Sequence, residues 1–215
     1  PENEWPLART VYKKLYLNAS NGKMGDAPVK TVSKVSYDAQ KGETNFEYTF
    51  RKDTELTGYM KLRLWVEADG HDDMDLFINI KKTSTKGEEL PVTIFGTERH
   101  PGSWGKLRVS MRHLDEQAST EYQPIHSHDR FEKLKPGEIV PIDIEIWPIS
   151  RIWHKGQKLR IQIAGRYIRD PWFEPLGWLS NNKGNHVIHT GGKYESYLLV
   201  PVIPPRYEDG EYIYR

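Results

Sequence analysis

Strict alternation of apolar and charged residues is the feature that most limits how this chain can fold. From Met60 to Val66 every second residue is apolar, and Lys61 and Arg63 stand between them. Successive side chains of a β-strand point to opposite faces, so such a run places one face on a core and the other in water. Further strand candidates, strong and weak, are 107–111, 140–146, 159–163, Tyr12–Leu17, Phe46–Phe50, Asp75–Ile80, Val92–Phe95 and Ser196–Ile203.

These runs predict an all-β fold. About nine or ten strands are separated by turn pairs such as Asn21-Gly22 and Pro136-Gly137, and no segment has helical periodicity of useful length. Because strands do not alternate with helices, an α/β fold is not expected. The pattern favours a jelly-roll β-sandwich of two antiparallel sheets, similar to galactose-binding domains. We expect one domain over residues 1–215, with a polar, tyrosine-rich tail at 203–215.

Charge and cysteine content narrow the classes of partner. The 31 Lys and Arg residues nearly balance the 30 Asp and Glu residues, which argues against a nucleic-acid or membrane-surface partner, since both attract an excess of positive charge. The absence of cysteine and of a signal-peptide pattern favours a cytoplasmic location. The start at Pro1 suggests a fragment of a longer protein.

A serine nucleophile would need a tight elbow of the form G-x-S-x-G. The segment Gly102-Ser103-Trp104-Gly105 is one residue short of that motif and follows His100-Pro101. We interpret it as a surface turn, and we expect no catalytic residue in this chain.

A short histidine pair is the candidate for metal binding. His126 and His128 would point to one side of an extended chain, and Glu132 follows at the spacing of the first cupin motif. The second cupin motif needs a histidine where Ser180 stands, so the third imidazole is missing. We therefore expect no metal and no other cofactor. A cupin-like metal enzyme that uses His126, His128 and Glu132 stays open as an alternative.

The acidic run from Asp69 to Asp75 supplies oxygen ligands of the kind that calcium prefers. No glutamate follows at the spacing of a calcium-binding loop. A polar turn that precedes a strand is therefore the favoured interpretation.

Seven tryptophans suggest a second alternative, a carbohydrate-binding module that stacks sugar rings on exposed indoles. Trp65 and Trp147 fall within strand runs, where core packing would explain them. Residues 166–185 form the least regular segment, which we interpret as a packed lid or a contact surface. The tryptophans expected to face a ligand or an interface are Trp104, Trp153, Trp172 and Trp178.

An ordered set of segments resembles one known family. The segments are Trp5–Thr10, Leu107–Asp115, Leu134–Ile146, His154–Ala164 and His189–Tyr194 with the strand after it. In this order and spacing they resemble the C-terminal jelly-roll domain of X-Pro dipeptidyl-peptidases, cocaine esterase and α-amino-acid ester hydrolases.

The resemblance implies an accessory role. In that family the serine nucleophile and its partners lie on a preceding α/β-hydrolase domain, and the C-terminal domain packs on that core and walls its active-site cleft. The resemblance therefore implies that the partner of this chain is an α/β-hydrolase domain of the same polypeptide. A homodimer stays open as a further assembly. No catalytic role passes to any residue of this sequence.

Overall fold

Strands account for nearly all of the regular structure. The computed structural model describes residues 3–94, 97–100, 102–168 and 180–205. Within them lie β1 Val11–Asn18, β2 Lys23–Gly25, β3 Ser33–Asp38, β4 Glu43–Thr49, β5 Thr54–Asp69, β6 Asp75–Thr83, β7 Val92–Ile94, β8 Thr97–His100, β9 Ser103–Arg108, β10 Val140–Trp153, β11 Lys158–Ala164, β12 Asn185–Thr190 and β13 Tyr197–Ile203.

The strands pack as a sandwich of two layers. One hydrogen-bonded path runs β3-β12-β5-β13-β1-β2-β4-β11-β6-β9, and β10 pairs with β5 beside it. A single parallel residue pair, Lys23 with Glu47, joins β2 to β4, so the path turns there from one layer to the other. The all-β sandwich predicted from the sequence is confirmed.

The long strand β5 organises the first layer. Antiparallel β10 pairs with it from Thr54 to Val66, while β13 and β12 share its other edge. The pairing with β10 is interrupted by a bulge between Ile146 and Ile149. Such a bulge re-aims the side chains beside it.

The core lies between the two layers and is one contiguous cluster. Alternate residues of β5 and β10 supply one wall, and β6 and β11 supply the other, as the period of two requires. Fully buried members include Leu62, Leu64, Ile144, Ile161 and Ile163.

The alternation at 107–111 was interpreted as a strand, and the second half of that prediction is wrong. Strand β9 ends at Arg108, and Val109–Met111 form a 3₁₀ turn. The Asp73 carboxylate accepts hydrogen bonds from the backbone N–H and the hydroxyl of Ser110. These bonds turn the chain away from the sheet edge.

In the described part of the chain, no helix is long and apolar enough to cross a membrane.

Candidate functional site

The structure separates the three residues of the cupin-like alternative. The imidazole rings of His126 and His128 lie 6.1 Å apart, centroid to centroid. Glu132 turns away to His113, whose Nε2 is 2.6 Å from its carboxylate, and to Arg112 at 3.3 Å. The hydrogen bond with His113 lowers the pKa of Glu132. The expectation that Glu132 could join the histidine pair is therefore wrong, and no group of three metal-ligating side chains occurs among the described residues.

The carboxylates of the acidic run contact separate partners. Asp72 pairs with Lys133 at 2.7 Å, and that hydrogen bond lowers its pKa. Asp75 accepts two hydrogen bonds from the Arg108 guanidinium. Because each carboxylate serves a different neighbour, the run acts as the polar turn that the sequence favoured.

The segment Gly102–Gly105 is not a surface turn, so that interpretation is wrong. Ser103 begins the edge strand β9, is buried, and donates its hydroxyl hydrogen to the backbone carbonyl of Trp147. Gly105 is also buried, and a Cβ atom there would lie 2.3 Å from the Glu145 carbonyl oxygen. The segment closes the sandwich between β9 and β10.

A serine, a histidine and an acid do meet in the first layer, but not in a catalytic arrangement. His189 Nε2 lies 2.8 Å from the Glu67 carboxylate. The hydroxyl of Ser196, however, donates to the backbone carbonyl of His189 and accepts from the Trp65 N–H. A serine activated by a base needs its hydroxyl on the ring nitrogen, so this trio supports strand packing.

Of the four tryptophans expected to face a ligand or an interface, the structure describes two. Trp153 is fully buried at the end of β10, where it stacks on Phe50 at 5.5 Å, so the expectation that it faces a ligand or an interface is wrong. Trp104 is half-buried on β9. Trp172 and Trp178 lie outside the described residues, as does most of the 166–185 segment.

Trp147 is a site residue that the sequence reasoning missed. We assigned it to core packing, yet its side chain is 55% exposed and lies 4.4 Å from Trp104, centroid to centroid. The sequence did contain a signal that Trp147 is exposed. Ile144 and Ile146 face the core, and the next residue in an alternating strand must face outward. The pairing with β5 is interrupted directly after Ile146, at the position of Trp147.

The two indoles border a groove of about 570 Å³ between β9 and β10. We call it the indole groove, and the lining residues used below are Trp104, Lys106, His126, Glu145 and Trp147. His126 Nε2 lies 3.1 Å from the Asp143 carbonyl oxygen and must donate to it, since a carbonyl only accepts. Burial lowers the pKa of His126, so the ring is neutral near pH 7 and its Nδ1 is an acceptor.

A second aromatic feature lies beside β1 and β5. Four rings from distant parts of the chain contact one another in a row: Trp5 with Tyr59 at 6.0 Å, Tyr59 with Tyr122 at 6.3 Å, and Tyr122 with Tyr12 at 4.7 Å. We call it the aromatic row. Trp5 is 49% exposed at its open end. Burial raises the pKa of the Tyr12 phenol at the closed end.

A comparison with known protein families gives one match. Residues 1–199 match the family described as the X-Pro dipeptidyl-peptidase C-terminal non-catalytic domain. The chain belongs to this family. The resemblance noted in the sequence is thereby confirmed.

Solved structures place this C-terminal domain among hydrolases. A CocE/NonD family hydrolase from Staphylococcus aureus superposes with a TM-score of 0.90 at 37% identity, over 94% of this chain and 38% of that chain. An aminopeptidase from a marine sediment thaumarchaeote superposes with a TM-score of 0.68 at 13% identity, over 94% of this chain and 38% of that chain. An α-amino acid ester hydrolase superposes with a TM-score of 0.59 at 13% identity, over 88% of this chain and 36% of that chain. The last two show the fold alone.

The chain thus spans less than two-fifths of the length of these hydrolases. No curated protein sequence matches it. This C-terminal non-catalytic domain is of the CocE/NonD type.

Proposed function

We propose that this domain packs, through its aromatic row, on an α/β-hydrolase core of the same polypeptide and borders the substrate cleft of that core. The parent protein would be a serine acyl or peptide hydrolase. The observation that carries the proposal is the aromatic row itself, which lies beside the first described residues of the chain. In the proposed parent protein the catalytic part precedes this domain, so the row would lie near the connection between the two.

The composition of the aromatic row supports an interdomain contact. Tyrosine and tryptophan are enriched in protein interfaces, because each buries a large apolar area and keeps a polar atom for hydrogen bonding. The Tyr12 hydroxyl is buried without a partner among the described residues. That hydroxyl is enclosed by its own chain, so the part of the row that a neighbouring domain would cover is its exposed end at Trp5.

The test uses the full-length hydrolase that carries this domain. In the double variant Trp5→Ala and Tyr122→Ala, we expect the two domains to uncouple, so that one thermal transition becomes two and kcat/KM falls more for bulky esters than for small ones. Differential scanning calorimetry and ester kinetics measure these effects. Phe131→Ala is the matched control, because Phe131 is 58% exposed and lies outside the aromatic row. An unchanged single transition with unchanged kinetics in the double variant would refute the proposal.

A further inference from the structure

The indole groove has a stacking surface that the aromatic row and the hydrolase role leave unused. Trp147 presents an indole that is more than half exposed, and Trp104 packs against it at 4.4 Å with a 31° tilt between the rings. The contact with Trp104 limits rotation of the exposed Trp147 indole. A rigid, exposed aromatic plane is the surface on which the apolar face of a pyranose ring stacks.

Polar groups with fixed orientations surround this plane. The tautomer of His126 is set by the Asp143 carbonyl, which leaves Nδ1 as an acceptor. The Gln123 amide donates to one oxygen of Glu145 at 3.0 Å and thereby orients the carboxylate. Lys106 places its ammonium 5.7 Å from the centre of the Trp104 ring. Acceptors and a donor therefore stand in the same groove as the stacking surface.

We propose that the indole groove binds a pyranose unit of an oligosaccharide. Sugar hydroxyls need acceptors and donors at the edge of the ring, while the ring face needs an apolar plane, and the indole groove supplies both. A volume of about 570 Å³ lies within the usual range for small-ligand sites. A proline-rich peptide would also stack on Trp147, but it carries no N–H groups at its prolines to bond with His126 Nδ1 and Glu145.

The experiment titrates the 215-residue chain with cellohexaose, xylohexaose, mannohexaose and chitohexaose, and with hexaproline as the competing class. Calorimetry gives the affinity, and the indole N–H signals in a ¹⁵N NMR spectrum report contact at Trp104 and Trp147. We expect saturable binding of at least one hexasaccharide, with the largest shifts at these two signals. In Trp147→Ala the affinity should fall at least about tenfold.

Two further variants keep the result interpretable. His126→Phe keeps an aromatic ring but removes the Nδ1 acceptor and the hydrogen bond to the Asp143 carbonyl, so it should weaken binding of the same hexasaccharide while circular dichroism shows an unchanged sheet. Phe131→Ala removes an equally exposed aromatic side chain elsewhere and should bind as the unaltered chain does. The proposal is overturned if no hexasaccharide binds, if hexaproline binds instead, or if Trp147→Ala retains full affinity. None of these outcomes bears on the aromatic row, so the two proposals fail separately.

Discussion

The ring of His186 is enclosed in the first layer, and among the described residues it has one hydrogen-bonding neighbour. Its Nδ1 lies 3.3 Å from the Tyr37 hydroxyl, and its Nε2 has no partner among the described residues. A Cβ atom on Gly165 would approach the ring to 2.8 Å, so the glycine leaves room for it. Burial lowers the pKa of His186 from 6.5 to about 4.

The depressed pKa of His186 predicts an acid-sensitive fold. In the unfolded chain the ring binds a proton at its ordinary pKa, so between pH 6.5 and pH 4 the unfolded state holds more protons and stability falls as the pH falls. The free energy of unfolding would fall by about 3 kcal/mol because of this group, and the fall would be nearly complete at pH 4. Urea unfolding at pH 7 and pH 4.5 measures it. In His186→Phe the difference in the free energy of unfolding between pH 7 and pH 4.5 should shrink. An unchanged difference would exclude His186 as its source.

Trp153 predicts a large effect at a single core position. The indole is fully buried, stacks on Phe50, and donates its N–H to the Lys158 carbonyl. Trp153→Ala leaves a cavity and an unbonded carbonyl, so we expect a loss of about 3–5 kcal/mol in the free energy of unfolding. Urea denaturation checks this, and Trp153→Phe should lose less. The exposed Trp147 is the control, since Trp147→Ala should change stability by no more than about 0.5 kcal/mol.

Closure of the sandwich between β9 and β10 depends on the lack of a side chain at Gly105. An added Cβ atom would lie 2.3 Å from the Glu145 carbonyl oxygen and 2.7 Å from Ile146 Cδ1. The two strands would have to separate, so Gly105→Ala should cost about 1–3 kcal/mol. Gly25→Ala in β2 is the matched control, because no atom lies within 4 Å of its added Cβ. Chemical denaturation compares the two, and equal stabilities would contradict this account of the closure.

Period-two alternation was sufficient to predict the strands that bury one face. It found the regions of β5, β10 and β11, although buried and half-exposed residues alternate regularly only along β5 and in the first half of β11. It missed β12, where His186 to Thr190 are all buried, because a strand covered on both faces carries no alternation. It also missed β3, in which only Val35 and Tyr37 are apolar.

The candidate sites depend on contacts that the sequence does not encode locally. The adjacency of His126 and His128 was predictable, since one residue separates them. The pairing of Glu132 with His113 was not, because it joins the loops on either side of the histidine pair. The aromatic row draws Trp5, Tyr12, Tyr59 and Tyr122 from four distant segments, and only the folded topology brings them together.

At the scale of the whole molecule, membership in a non-catalytic family predicts that the chain has no hydrolase activity of its own. The purified 215-residue chain should give no turnover of aryl esters or X-Pro anilides above buffer, whereas the full-length parent should hydrolyse at least one of them. The physical reason is that an acyl hydrolase needs a serine hydroxyl on a base, and Ser196 is committed to a backbone carbonyl. Turnover that co-purifies with the chain through several columns and is lost in Ser196→Ala would contradict this.

The first and last strands of the sandwich, β1 and β13, lie side by side and antiparallel, with Val11 opposite Val202. Their outer ends therefore meet at one corner of the domain. A force pulling on those two ends would break the backbone hydrogen bonds between the strands one after another. It would not load several of these bonds at once. Under such a pull the pairing of β1 with β13 would open before the rest of the sheet.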